Sequence, residues 1–339
     1  MGLMEQVNSP IDLLQLVLPV VLAATLVPLI LLIWLRRGHA LPLDVANERS
    51  LHSGAVPRIG GVAMMMASTV GITVASWLGV VLDVPAAILL ACLVLFSLSV
   101  CDDWRPLGVL TRLAGHLLAA MVVVVALDVP VIWAVPVTLA LVWMTNLYNF
   151  MDGADGLAGS MAVVGFIGFA LAAWPKAPGL AVFSLVIAAA ALGFLTLNFP
   201  PARVFMGDAG SVPLGFLAGS IAILGWRVEL WPAWYGPMLF APFILDATLT
   251  LWRRLRRGER VWQAHRQHLY QRLVLRGWTH RRLVLSAGSL MVVNVVILVG
   301  ICLLPEGIRP VAAVLWLLGL LIIYFGIDRY CRRGETAVR

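Results

Sequence analysis

Four acidic clusters in this chain have the spacing to hold a divalent cation or to work on a phosphate. They are Asp102-Asp103, the run Asn146-x-x-Asn149-x-x-Asp152-x-x-Asp155, Asp208 within Gly207-Asp208-Ala-Gly210-Ser211, and Asp246 alone in an apolar stretch. Carboxylates gathered beside apolar segments repel one another and lose hydration unless a cation sits among them. A divalent metal and nearby arginines are the candidate cations, and a phosphate ligand is the usual reason to hold such a metal. Asp102 and Asp103 close an apolar segment, where a helix dipole prefers positive charge. That placement suggests a compensating cation or a general base, against the plainer alternative of a solvated turn. Asp152 and Asp155 lie three apart and would share one face of a helical turn, with Asn146 and Asn149 repeating the spacing before them. Two carboxylates and two amides together suit a metal shell, or sugar and phosphate groups; a capped polar turn is the alternative. Asp208, between glycines at a helix start, can reach a cation while free backbone N–H groups face an anion. Asp246 precedes Arg253 by roughly 10 Å of helix. A carboxylate at that depth marks function by default, although a bond to a Ser, Thr or Arg of another helix would also explain it.

Basic residues accompany these acids. The stretch Asp44 to Gly61 offers Arg49, His52 and Arg58 before a glycine pair that permits close backbone approach. Arg203 leads into the Asp208 cluster. The stretch 253–282 is rich in arginine and contains His265-Arg-Gln-His268-Leu-Tyr-Gln-Arg272. On a helix His265, His268 and Arg272 would share a face. That set suits a diphosphate better than a zinc, which needs more ligands of its own kind. A basic amphipathic helix lying on a lipid surface is the alternative.

The elements that must carry these residues are apolar. The chain has 339 residues, of which 61% are hydrophobic and 12% charged, with mean hydropathy +0.96. Those values exclude an ordinary soluble domain. Continuous apolar runs predict an all-α integral membrane protein with about eleven transmembrane helices. They fall at 11–35, 59–80, 84–101, 110–127, 130–146, 157–174, 180–198, 211–227, 232–252, 282–304 and 309–328, in a single polytopic domain over 1–339. No alternation of the barrel kind is present. Pro237 and Pro242 should kink the ninth run. With the N-terminus outside and the C-terminus inside, every Lys and Arg except Lys176, Arg227 and Arg309 falls on the cytoplasmic side. The candidate site therefore belongs to the inner loops 36–58, 102–112, 146–157, 198–211 and 253–282. The net charge of +7 then reflects topology and anionic lipid, not nucleic acid. Glu5 and Asp12 among the leading residues, in place of Lys or Arg, argue against a cleaved signal peptide. Four scattered cysteines show neither metal nor disulfide spacing.

Taken in order, these blocks resemble the polyprenyl-phosphate N-acetylhexosamine-1-phosphate transferases, the membrane superfamily of WecA-type and MraY-type enzymes. The resemblance runs from about Asp44 to Leu273. It implies transfer of a sugar-1-phosphate from a UDP-N-acetylhexosamine to undecaprenyl phosphate, with Mg²⁺ as cofactor and Mn²⁺ as the alternative ion. It also implies a bacterial inner membrane location with the site facing the cytoplasm; a homodimer stays open. By the same resemblance Asp102, Asp103 and Asp155 are expected to be catalytic, and Asp208 and Asp102 to bind metal. Asn149, Asp152, His52, Arg58, Arg203, Asp246, His265, His268 and Arg272 are expected to bind substrate. The loop lacks the Pro-x-His-His-His run of the MraY branch, which points to the branch that initiates O-antigen and related polysaccharides. A transporter is the competing reading, but it favours charges near the midplane in two matched halves. A lipid-binding scaffold would explain the arginines and leave the acids unexplained.

Overall fold

The computed structural model describes residues 11–37, 41–45, 54–260 and 265–335, without the side chains of 334 and 335. Long apolar segments become helices because each helix satisfies its own backbone N–H and C=O groups where water is absent. In chain order these are α1 (Leu13–Arg37), α2 (Gly60–Trp77), α3 (Ala86–Trp104), α4 (Val109–Ala126), α5 (Val131–Phe150), α6 (Leu157–Ala173), α7 (Pro178–Asn198) and α8 (Asp208–Arg227). They are followed by α9 (Tyr235–Leu239), α10 (Ala241–Arg256), α11 (Leu269–Leu275), α12 (His280–Leu303) and α13 (Arg309–Glu335). Among the described residues, nine helices are long and apolar enough to cross a membrane. The protein is an all-α integral membrane protein.

Two departures from the sequence expectation matter. The ninth run is two helices, α9 and α10, broken at Phe240, with Pro237 inside the first and Pro242 in the opening turn of the second. Proline lacks the N–H that would carry the helix across that point. The stretch before α2 holds a small antiparallel hairpin, β1 (Leu43–Val45) and β2 (Ala55–Pro57), with Asp44 opposite Val56.

Helices α7 and α8 form the centre. Helices α1, α2 and α6 pack on α7, while α2, α3 and α5 pack on α8. Small residues set the spacing. A Cβ on Gly61 of α2 would lie 2.1 Å from the Gly210 nitrogen of α8, so the two helix starts touch backbone to backbone. The hairpin is tied to the same place. Gly60 and Gly61 donate to the carbonyls of Phe205 and Met206, and Phe205 donates to that of Pro57. The starts of α2 and α8, the hairpin and the ends of α3 and α5 therefore share one end of the bundle, the loop face. At the opposite end the connections are short turns, with Asp83, Asp128 and Glu229 in the left-handed region.

Candidate active site on the loop face

Asp102 and Asp103 end α3, yet they face different partners. Asp103 accepts from the backbone N–H groups of Asp208, at 3.1 Å, and Ala209, at 2.9 Å. It thus caps α8 from another helix, and the positive end of the α8 dipole compensates its charge. Gly207 makes this fit: its φ is +72°, and a Cβ there would lie 2.9 Å from an Asp103 oxygen. Asp102 accepts from the Leu107 N–H at 2.5 Å and pairs with Arg112 at 3.2 Å. Arg112 also reaches Asp208 at 3.6 Å, so one guanidinium bridges the carboxylates of α3 and α8. The Asn149 side chain hydrogen-bonds Asp208 as well.

A cavity of about 400 Å³ opens on this group. Its lining includes Asp102, Arg112, His116, Asn146, Asn149, Asp208, His265, His268 and Gln271. Five residues expected from the sequence therefore meet: Asp102, Asn149, Asp208, His265 and His268. The histidine rings lie 4.9 Å apart, and His268 stacks between Phe150 and Tyr270 at 6.4 and 5.8 Å. Burial, then His268 and Arg254, push the His265 ring down to about 4, which keeps it neutral at pH 7.

Other expected residues lie around the cavity. Asp152 does not share a helical face with Asp155, because 151–156 is a turn in which Gly156 has a φ of +73°. Asp152 lies beside Asp208 and Asp103. Burial, followed by those two negative charges, holds its carboxyl well above the usual range. Asp155 turns away. It accepts from the Ala202 N–H at 3.0 Å and meets His280 Nδ1 at 3.1 Å, which ties the turn to the 199–207 loop and to α12. Arg58 pairs with Asp44 of the hairpin at 2.8 Å, with Asp103 and Asp152 within electrostatic reach. The Arg203 side chain is exposed.

Asp246 acts on the histidine loop from behind. It is 2% exposed and accepts from the N–H groups of Leu269, at 2.7 Å, and Tyr270, at 3.1 Å. It thereby caps α11 and fixes His268 at the start of that helix. His265 precedes α11 in an irregular stretch, so the expected helical face of His265, His268 and Arg272 is not formed. Arg272 instead joins Arg253 and Arg332 around Asp328 of α13. His52 lies outside the described residues.

Three site residues were not foreseen: Arg112, His116 and His280. Arg112 closes the inner loop 102–112 without having been singled out, and His116 stands four residues on, inside the apolar run 110–127. That polar pair on one face of an apolar helix was the available signal.

The carboxylates of Asp102 and Asp208 with the amide of Asn149 suit Mg²⁺, which takes one or two carboxylates and completes its octahedron with water and phosphate oxygens. Among the described residues no group of three or more His, Cys, Asp or Glu has a geometry that would hold a metal unaided. An ion there would depend on substrate oxygens. An apolar cavity of about 420 Å³ lies between α5, α8 and the α9–α10 break and runs from Leu147 toward the opposite end of the bundle, where Trp133 and Trp226 line it.

Comparison with known proteins places this arrangement in context. The profile of glycosyl transferase family 4 matches residues 85–226. A probable undecaprenyl-phosphate N-acetylglucosaminyl 1-phosphate transferase of Bacillus subtilis (strain 168) is 30% identical over 301 residues, covering 83% of this chain and 80% of the relative. The decaprenyl-phosphate N-acetylglucosaminephosphotransferase of Mycobacterium tuberculosis (strain ATCC 25618 / H37Rv) is 34% identical over 292 residues, 70% of each. A phospho-N-acetylmuramoyl-pentapeptide-transferase of Moorella thermoacetica is 32% identical over 318 residues, covering 81% of this chain and 95% of the relative.

Proposed function

The chain belongs to the polyprenyl-phosphate hexosamine-1-phosphate transferases of glycosyl transferase family 4, and we propose that it moves a sugar-1-phosphate from a UDP-N-acetylhexosamine to undecaprenyl phosphate. The products are undecaprenyl-diphosphate-sugar and UMP. The observation that carries this reading is the cavity where Asp102, Arg112, Asn149, Asp208, His265 and His268 meet at the loop-face ends of the helices. Both substrates are anionic, so they meet only where positive charge and donors offset their repulsion.

The reaction balances simply. An oxygen of the lipid phosphate attacks the β-phosphorus of the nucleotide sugar. The bond from that phosphorus to the bridging oxygen breaks, and UMP leaves with the electron pair. A lipid phosphate with a second pKa around 6 is already ionised at neutral pH, so no residue must remove its proton. Asp102 then orients the phosphate through Arg112 and holds the ion; it does not need to act as a base. Asp208 and Asp102, with Asn149, would hold Mg²⁺, or Mn²⁺ in its place. When bound, that ion supplies positive charge at the phosphates. His265 and His268 donate to the diphosphate from the loop side. Asp152 and Arg58 face the nucleotide sugar, and Arg203 extends the basic rim. Asp103, Asp155 and Asp246 hold the backbone on which the others depend.

The excess of Lys and Arg on the loop face orients that face to the cytoplasm of a bacterial inner membrane. The loop has two separated histidines and no Pro-x-His-His-His run, which favours UDP-GlcNAc or a related amino sugar over a muramoyl-pentapeptide. Such a product begins a surface polysaccharide of the O-antigen kind. The test is a donor panel. Purified protein receives undecaprenyl phosphate, Mg²⁺ and, separately, UDP-GlcNAc, UDP-GalNAc and UDP-MurNAc-pentapeptide, and the lipid product is weighed by mass spectrometry. A lipid-diphosphate amino sugar is expected. Product from the pentapeptide donor alone would move the protein to the cell-wall branch.

A further inference from the structure

We propose that His116, held by Asn146, forms the subsite that receives the phosphate of the lipid acceptor. The inference rests on the transferase reading above. His116 lies seven residues into α4 from Val109 and is 5% exposed, yet it lines the cavity. Asn146 Nδ2 donates to the Val142 carbonyl at 2.7 Å and lies 3.0 Å from His116 Nδ1. A carbonyl only accepts, so that contact fixes which end of the amide is nitrogen. An amide nitrogen only donates, so Nδ1 of His116 is the acceptor and the ring proton sits on Nε2. The ring is thereby fixed as a neutral Nε2–H donor. Among the described residues its only hydrogen-bond partner is Asn146, so Nε2–H has no protein acceptor. That donor is left for an acceptor from outside the protein. The cavity is where one can arrive.

Position identifies the ligand. The histidine loop and Asp208 form the end of the cavity open to the loop face. His116, Ser99 and Asn146 form the end that lies deeper in the bundle. Leu113, three residues before His116 on α4, is 45% exposed, and Val109 and Phe150, at the loop-face ends of α4 and α5, are 55% and 46% exposed. An apolar, exposed rim between α4 and α5 faces lipid, so a phosphate on a prenyl chain reaches His116 from the side. A water-soluble nucleotide enters at the other end. The chemistry agrees. A neutral donor binds a phosphate oxygen while leaving a neighbouring oxygen able to attack, whereas a second cation there would quench it. His116 is thus a positioning residue for the acceptor, alongside Arg112 one turn away on α4.

The experiment separates the two substrates. Steady-state KM for undecaprenyl phosphate and for the UDP-sugar is measured with the wild type, His116→Leu and His116→Gln in detergent micelles. For His116→Leu the acceptor KM should rise about tenfold to a hundredfold, the range for losing a hydrogen bond to a charged group, while the donor KM stays within about twofold of wild type. His116→Gln returns a neutral N–H donor and should recover most of the loss with an unchanged pH profile. An unchanged acceptor KM in the Leu variant, an equal rise in donor KM, or a Gln variant as impaired as Leu would each overturn the assignment. Should His116→Leu fail to fold, Asn146→Leu releases the tautomer without altering the ring. It should raise the acceptor KM several-fold with the donor KM constant, and a normal acceptor KM there refutes the proposal. A wild type silent with every donor sinks the transferase reading itself, which is a different result from a wild type that turns over and variants that do not discriminate.

Discussion

Replacing Asp246 by Asn tests whether this buried acid positions the histidine loop or touches a ligand. The carboxylate is 2% exposed and spends both oxygens on the Leu269 and Tyr270 N–H groups, with Thr250 a third donor at 3.3 Å. Asn keeps one acceptor oxygen and turns an NH₂ toward a backbone donor. One charge-assisted bond is lost, at about 1.5–3 kcal/mol. Taking ~2 kcal/mol, the equilibrium between docked and released loop shifts by about thirtyfold. Amide exchange at Leu269 and Tyr270 should quicken by up to that factor. kcat/KM should fall by a similar amount, because His265 and His268 leave the cavity with the loop. Hydrogen exchange by mass spectrometry and turnover are read on the same preparation. Unchanged exchange with lost activity would mean that Asp246 contacts a ligand directly. Unchanged exchange with normal activity would mean that the cap contributes nothing, and the account of the loop would be wrong.

Three further predictions follow from the geometry. Asp208→Asn should lower turnover by roughly a hundredfold or more with thermal unfolding unchanged, and near-normal turnover would remove Asp208 from the ion-binding group. Gly61→Ala puts a Cβ 2.1 Å from the Gly210 nitrogen, so α2 and α8 must part; a stability loss of about 1–3 kcal/mol should appear as a lower Tm in detergent, and an unchanged Tm would contradict the packing. His265, pushed down to about 4 from 6.5, binds a proton in the unfolded chain before it does in the folded one. Its contribution to stability is complete above about 6.5 and is lost as pH falls toward about 4. His265→Gln should therefore flatten the stability profile between those values and leave the activity profile from about pH 6.5 to 8 unmoved. A step near 6.5 that disappears in the variant would show a charged ring instead.

What could be read from the sequence was where the acids gather; how they divide their work could not. Asp102, Asn149, Asp208, His265 and His268 meet as their blocks suggested, because those blocks all fall at the same ends of membrane helices. Asp103, Asp155 and Asp246 look identical on paper to Asp208. Only the fold shows that each accepts backbone N–H groups from a distant segment: Asp103 from α8, Asp155 from the 199–207 loop, Asp246 from α11. The unfavourable placement of Asp102-Asp103 at the end of α3 was a sound clue with two answers. Arg112 compensates one acid, and the start of α8 compensates the other. Spacing misled where glycine breaks the helix: Asp152 and Asp155 part at a turn containing Gly153 and Gly156. His116 escaped notice because an apolar run of the right length hides its few polar residues, and Arg112 because it stands where that run meets the loop 102–112. The three-residue strands of the hairpin are too short to show a period at all.

The central claim is tested most directly by lipid-dependent release of UMP. Purified protein is given UDP-GlcNAc with Mg²⁺, with and without undecaprenyl phosphate, and UMP is followed by chromatography. UMP should appear only with the lipid, in equal amount to the lipid-diphosphate sugar, and should stop when the ion is chelated. A folded protein that releases no UMP with any UDP-amino sugar, or releases it equally without lipid, would contradict the account.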